Sequence, residues 1–136
     1  MKFLTISKFL MILILPFLLF LLMADFAGFD SLFYKEEFLK YKVQQNVPTA
    51  ASLHEKVMNF IKGENNDLPN EFNEKEKQHL LDVRKAVRIS TILLYILITL
   101  FILLLIASVF ILKVSNRIIN FVGKVLAFGG FLTIAL

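Results

Sequence analysis

A chain of 136 residues that is 57% hydrophobic, with a mean hydropathy of +0.71, is too apolar for an ordinary soluble domain. The absence of cysteine excludes disulfides, thiolate nucleophiles, cysteine zinc sites and S-palmitoylation. The net charge of +4 is unevenly divided: residues 25–88 hold all 11 acids and ten of the 15 lysines and arginines, whereas both flanks are basic and acid-free, a pattern of cytoplasmic loops rather than of a nucleic-acid site.

Lys2 and Lys8 precede an apolar run at 9–24, interrupted only by Pro16, where a helix can kink. No small-x-small cleavage signal follows, so residues 1–24 are expected to form the N-terminal tail and a first transmembrane helix, an uncleaved signal anchor. The run is short for a span, but snorkelling of Lys8 and the apolar tail at 26–29 can complete it. Asp30 or Ser31 caps a short helix reaching Tyr41, whose aromatics Phe33, Phe38 and Tyr41 suit a membrane interface or a small core. Asn46-Val47-Pro48-Thr49 then breaks the chain.

A second helix is predicted over 50–62 from Ser52 with Glu55 three places on, from a stripe of Leu53, Val57, Phe60 and Ile61, and from Gly63 as its stop. His54 lies beside that stripe and reads as a surface histidine. The polar stretch 64–72 is turn-rich and leads to Asn73. From there, residues 73–112 predict one long helix that begins in water and ends in lipid. Asn73 and Glu76 have capping-box spacing, and no Gly or Pro occurs between Asn73 and Gly123. Residues 89–112 carry no charge, and at 1.5 Å per residue they exceed the roughly 30 Å hydrocarbon core. They are expected to be the second transmembrane helix.

Lys113, Arg117 and Lys124 mark a basic cytoplasmic loop over 113–124. The apolar run 125–136 is too short to cross and is expected to be the start of a third transmembrane helix whose remainder lies beyond Leu136, the alternative being an interfacial amphipathic piece from Ile118 onward, with Gly129-Gly130 permitting close packing or a bend. The fold class expected is therefore all-α, a helical transmembrane protein with a small, mostly helical extracytoplasmic segment, 25–88, between the first two spans. The short basic flanks place the N terminus in the cytoplasm of a multi-pass cell-membrane protein. Arg84, Lys85 and Arg88 argue the other way, but charges in a segment longer than about 60 residues are the weaker guide.

Glu76, His79 and Asp82 recur every three residues along one side of the long helix, so Asp82 can orient or charge-stabilise the imidazole of His79. Ten residues before Ile89, or roughly 15 Å of helix rise, His79 would stand near lipid-headgroup height in an upright helix. A titratable base there suits chemistry on a lipid ester; the plainer alternative is a solvated juxtamembrane helix whose charges keep it soluble. Glu76-x-x-His79 has the spacing of a di-metal bundle, but a single copy supplies too few carboxylates, and no metal is expected. Ser90 is eleven residues past His79 and inside the span, which gives no Ser/His/Asp triad, and there is no Gly-rich phosphate loop.

The order of features resembles the lipoprotein intramolecular transacylase family of integral membrane proteins. The resemblance rests on the N-terminal anchor, on Phe33-Tyr34 with Phe38 and Tyr41-x-Val43, on the helix ending at Gly63, and above all on Phe72-Asn73-Glu74-x-Glu76-x-x-His79-Leu80-x-Asp82-Val83-Arg84. It implies an enzyme that moves an acyl chain from the diacylglyceryl group to the N-terminal cysteine amine of a lipoprotein, yielding the lyso form without a cofactor. It matches His79 to one functional histidine of the family. The family's other key histidine lies beyond a third span, past Leu136, so the chain as given is expected to be catalytically incomplete. With Asp82 as the orienting partner, Arg84 or Lys85 would hold anionic headgroups or support a developing oxyanion. The partners implied are membrane lipids and a lipoprotein substrate, with no nucleic acid. The competing class is a non-catalytic membrane module whose extracytoplasmic segment binds lipid or a partner protein.

Overall fold

The computed structural model describes residues 2–68, 70–112 and 115–135. They form six helices and, among the described residues, no strand: α1 (Lys2–Gly28), α2 (Ser31–Lys40), α3 (Val43–Asn46), α4 (Ala50–Lys62), α5 (Glu74–Leu112) and α6 (Ser115–Ala135). The protein is all-α. Three helices, Lys2–Gly28, Glu74–Leu112 and Asn116–Ala135, are long and apolar enough to cross a membrane. The chain divides into two compact units, one made of the chain through Ala24 and from Ile92 onward, the other of Asp25–Thr91.

In the first unit, α1 packs against the apolar part of α5 and against α6. One core cluster is Met11 with Phe121 and Val125, and another is Ile14 and Leu18 with Leu94. Since lipid tails are as apolar as leucine, such helices associate through close packing and interhelical hydrogen bonds rather than through the hydrophobic effect. Both devices are present. The Ser7 and Ser108 hydroxyls are 2.8 Å apart, with 1% and 0% of each residue exposed. A methyl group on Gly129 would come within 2.6 Å of the Leu15 side chain, so glycine permits α6 to approach α1 there, whereas Gly130 has open space around it. Of the two expected roles for the glycine pair, close packing is realised at Gly129.

Helix α6 departs from the expected layout of a loop at 113–124 followed by the beginning of a span. Residues 113 and 114 lie outside the described residues, but the chain is helical from Ser115 to Ala135. Phe121, Val125 and Gly129, four residues apart, form its buried stripe, while Arg117 and Lys124 are exposed on the same helix. Basic residues that read as a loop in the sequence are compatible with a span because their long stems can carry the charge outward.

The second unit is built on local signals. Asp30 accepts hydrogen bonds from the backbone N–H groups of Leu32 and Phe33 and starts α2. Gly63, at φ +84°, closes α4: its N–H reaches the Phe60 carbonyl, and the Glu64 N–H reaches that of Asn59. This left-handed position is one that glycine adopts without a Cβ penalty. The start of α4 differs from the expected Ser52 and Glu55 capping pair. Thr49 occupies the cap position without a side-chain bond, and the Ser52 hydroxyl donates back to the Thr49 carbonyl.

Candidate functional site

The expected site lies on the first turns of α5. Asn73 and Glu76 exchange hydrogen bonds, the Asn73 N–H to Glu76 Oε2 at 2.8 Å and the Glu76 N–H to Asn73 Oδ1 at 3.0 Å. This reciprocal cap satisfies two donors that a helix start otherwise leaves unpaired. It also commits the Glu76 carboxylate to the backbone. His79 follows at the next turn, exposed, in an open groove of ≈ 420 Å³ with Val57, Phe72, Lys75, Glu76 and Leu80 among its walls.

The structure does not join His79 to Asp82. The Asp82 carboxylate instead accepts a 3.5 Å hydrogen bond from the Gln78 side-chain amide, and among the described residues none hydrogen-bonds to the His79 ring. The i, i+3 spacing brings the two side chains to neighbouring positions, but Gln78, one turn before Asp82 at i−4, competes for the carboxylate.

Arg84 is drawn into packing. Its Nη2 donates to Asn66 Oδ1 at 2.8 Å, and its guanidinium carbon stands 4.6 Å from the centre of the buried Phe60 ring. One of its five donors is thereby used within the protein. Lys85 is exposed and has no ion pair among the described residues. Those residues also contain no cluster of three or more His, Asp or Glu side chains able to hold a metal ion.

His54, read from the sequence as a surface residue, is instead half-buried between aromatic rings. Its imidazole centre is 4.4 Å from that of Tyr34 and 5.3 Å from that of Phe38. Burial pushes its pKa down from the ordinary histidine value. Tyr34 and Phe38 are spaced i, i+4 and so share a face of α2, a signal legible in the sequence. That the partner on α4 is His54 is not, because it depends on how the two helices pack. Tyr34 also donates its hydroxyl proton to the Gly28 carbonyl at 3.3 Å, tying α2 to the last residue of α1.

The family model described as lipoprotein intramolecular transacylase Lit matches residues 9–136. The chain belongs to that family. The match spans both units, including His79 and the whole of α5 and its capping box, and agrees with the resemblance carried by the run from Phe72 to Arg84. No curated protein and no solved structure matches the chain. A Lit-family membership and three helices fit to cross a bilayer make this a membrane protein with a lipoprotein transacylase-like role.

Proposed function

We propose that this Lit-family protein transfers an acyl chain from the diacylglyceryl group of a lipoprotein to the amine of its N-terminal cysteine, with His79 moving the proton. The observation that carries the reading is the family match over 9–136 together with an exposed, unengaged imidazole in a groove at the start of α5. In the reaction the amine nitrogen attacks the ester carbonyl, an amide bond forms and the ester C–O bond breaks. The proton lost by the amine returns to the departing glycerol oxygen. A neutral imidazole accepts the first proton and its conjugate acid delivers the second, so no cofactor is consumed. Asp82 supports His79 through the local field, and Lys85, with the remaining donors of Arg84, serves anionic headgroups or a developing oxyanion.

The same reading sets the N terminus in the cytoplasm, 25–88 outside and the protein in the cell membrane, supported by the acid-free basic flanks. Single cysteines introduced at Ser52 and Asn116 test it with an impermeant thiol reagent on intact cells. Modification at residue 52 alone is expected, and modification at 116 alone reverses the topology.

His79→Ala tests the chemistry. The gene, with any reading frame that continues past Leu136, is expressed in cells without transacylase activity of their own, and the N-terminal peptide of a reporter lipoprotein is weighed by mass spectrometry. Removing a general base typically costs about 10²- to 10⁴-fold, so the lyso form should nearly vanish at matched protein levels. Undiminished lyso product from His79→Ala would refute the assignment, and lack of product from a wild type that includes the histidine expected beyond Leu136 would favour the non-catalytic membrane module.

A further inference from the structure

The second unit contains a cleft that the His79 chemistry does not use. It encloses ≈ 430 Å³ between α2 and α4, within the usual range of small-ligand sites, and Phe29, Leu32, Phe38 and Met58 give it an apolar wall. His54 and Tyr34 also line it, and Lys35, Lys62 and Glu55 add charge. Neither lysine forms an ion pair among the described residues; Lys62 Nζ stands instead 5.3 Å from the centre of the Phe29 ring. Two lysines against one glutamate leave the lining with a positive balance.

We propose that this cleft binds one anionic phospholipid, its phosphate at Lys35 and Lys62 and the upper part of an acyl chain along Phe29, Leu32, Phe38 and Met58. Three observations select a lipid over a soluble anion. The wall is formed by Phe29, the residue after α1 ends, and Tyr34 is bonded to Gly28, the final residue of a helix fit to span a membrane. Along the chain, the cleft therefore begins where an apolar run gives way to polar sequence, the kind of boundary found at a membrane interface. Leu32 and Leu39 on α2 are 70% and 71% exposed, an arrangement that water penalises and an acyl interface accommodates. The burial that lowers the His54 pKa fits a cleft whose floor is apolar. Lysine at such an interface attracts acidic headgroups, each contact being worth about a fivefold gain in affinity. The site goes beyond the acyl-transfer reading and stands or falls without it, since His79 is not among its residues.

The test uses the full chain in vesicles doped with a photoactivatable lipid carrying either a phosphatidylglycerol or a phosphatidylcholine headgroup, with crosslinked peptides located by mass spectrometry. Phosphatidylglycerol adducts are expected within 29–38 and 51–62, and far fewer from phosphatidylcholine. Lys35→Gln with Lys62→Gln should lower that labelling by roughly five- to 30-fold. Lys42→Gln with Lys56→Gln removes the same charge outside the cleft and should leave it unchanged. Ala51→Trp fills the cleft and should abolish labelling there while α4 remains helical by hydrogen exchange. Equal labelling by both headgroups, or equal loss from both lysine pairs, overturns the site and leaves only general attraction to an acidic surface. The lyso-product assay on the same variants is read separately, so failure of the lipid site and failure of the transacylase reading are distinguishable.

Discussion

The Arg84 guanidinium lies over the Phe60 ring at 4.6 Å and bonds to Asn66, joining the start of α5 to the end of α4 and to the turn that follows it. A methyl on Gly63 would meet Arg84 Nη2 at 3.6 Å, so the turn passes directly under the side chain. Arg84→Ala should therefore cost the second unit about 1–2 kcal/mol, from a cation–π contact and a charge-assisted hydrogen bond together. Arg84→Lys keeps the charge but loses the planar fork, and should recover little. Hydrogen exchange of the amides from Phe60 to Asn66 reads this. Wild-type protection in Arg84→Lys would mean that charge alone matters, as in headgroup binding.

Gly129 should be the least tolerant glycine of α6. A Cβ there meets Leu15 at 2.6 Å, with two further Leu15 atoms at 3.1 and 3.3 Å. Gly129→Val should destabilise the first unit by about 1–3 kcal/mol through overpacking, and Leu15→Ala in the same chain should restore part of the loss. Gly130→Ala, with nothing nearby, should be nearly neutral. Thermal unfolding in detergent compares the three. Equal effects at 129 and 130 would show that contact with α1 does not set the cost.

Ser7 and Ser108, both buried, satisfy each other, and Ser7 also approaches the Leu104 carbonyl at 3.5 Å. Hydrogen bonds between membrane helices average about 0.6 kcal/mol and reach about 1.7. A double-mutant cycle with Ser7→Ala and Ser108→Ala should return a coupling in that range. A coupling of zero would leave the pair as two small residues that merely permit close approach.

What the sequence revealed was mostly local. Asp30, Gly63 and the pair Asn73 and Glu76 are legible because each cap involves residues two to five apart. Ser52 and Glu55 spell the same capping pattern without forming it, since the helix has already begun at Ala50. Helix α3 is too short to show periodicity, and its start at Lys42 in the left-handed region carries no glycine to announce it. Long-range pairings left no trace. Nothing in the spelling of Leu15, His54 or Arg84 names Gly129, Tyr34 or Phe60 as its neighbour. At the site, the exposure of His79 follows from its polar helix start, whereas the choice of Gln78 by Asp82 is a contest between near-equal spacings that only the side-chain arrangement resolves.

His54 makes the second unit sensitive to acid. Burial lowers its folded-state pKa below the 6.5 of an unperturbed histidine, so protonation is easier in the unfolded chain. The unfolded state then binds more protons between the two values, and stability rises with pH across that window. The contribution is complete above the unfolded pKa and is lost as pH falls through the folded one. The packing of the neutral ring against Tyr34 and Phe38 is what acid opposes. Thermal unfolding of the wild type, followed by exchange in α2 and α4 from pH 8 to pH 5, should show protection declining on the acid side of 6.5. His54→Gln, which cannot ionise there, should flatten that decline while lowering protection at every pH through lost ring contacts. Carboxylates also titrate towards the acid end, so the comparison rests on the difference between the two proteins. An identical pH slope in both would remove His54 as its source, even if the variant were less stable throughout.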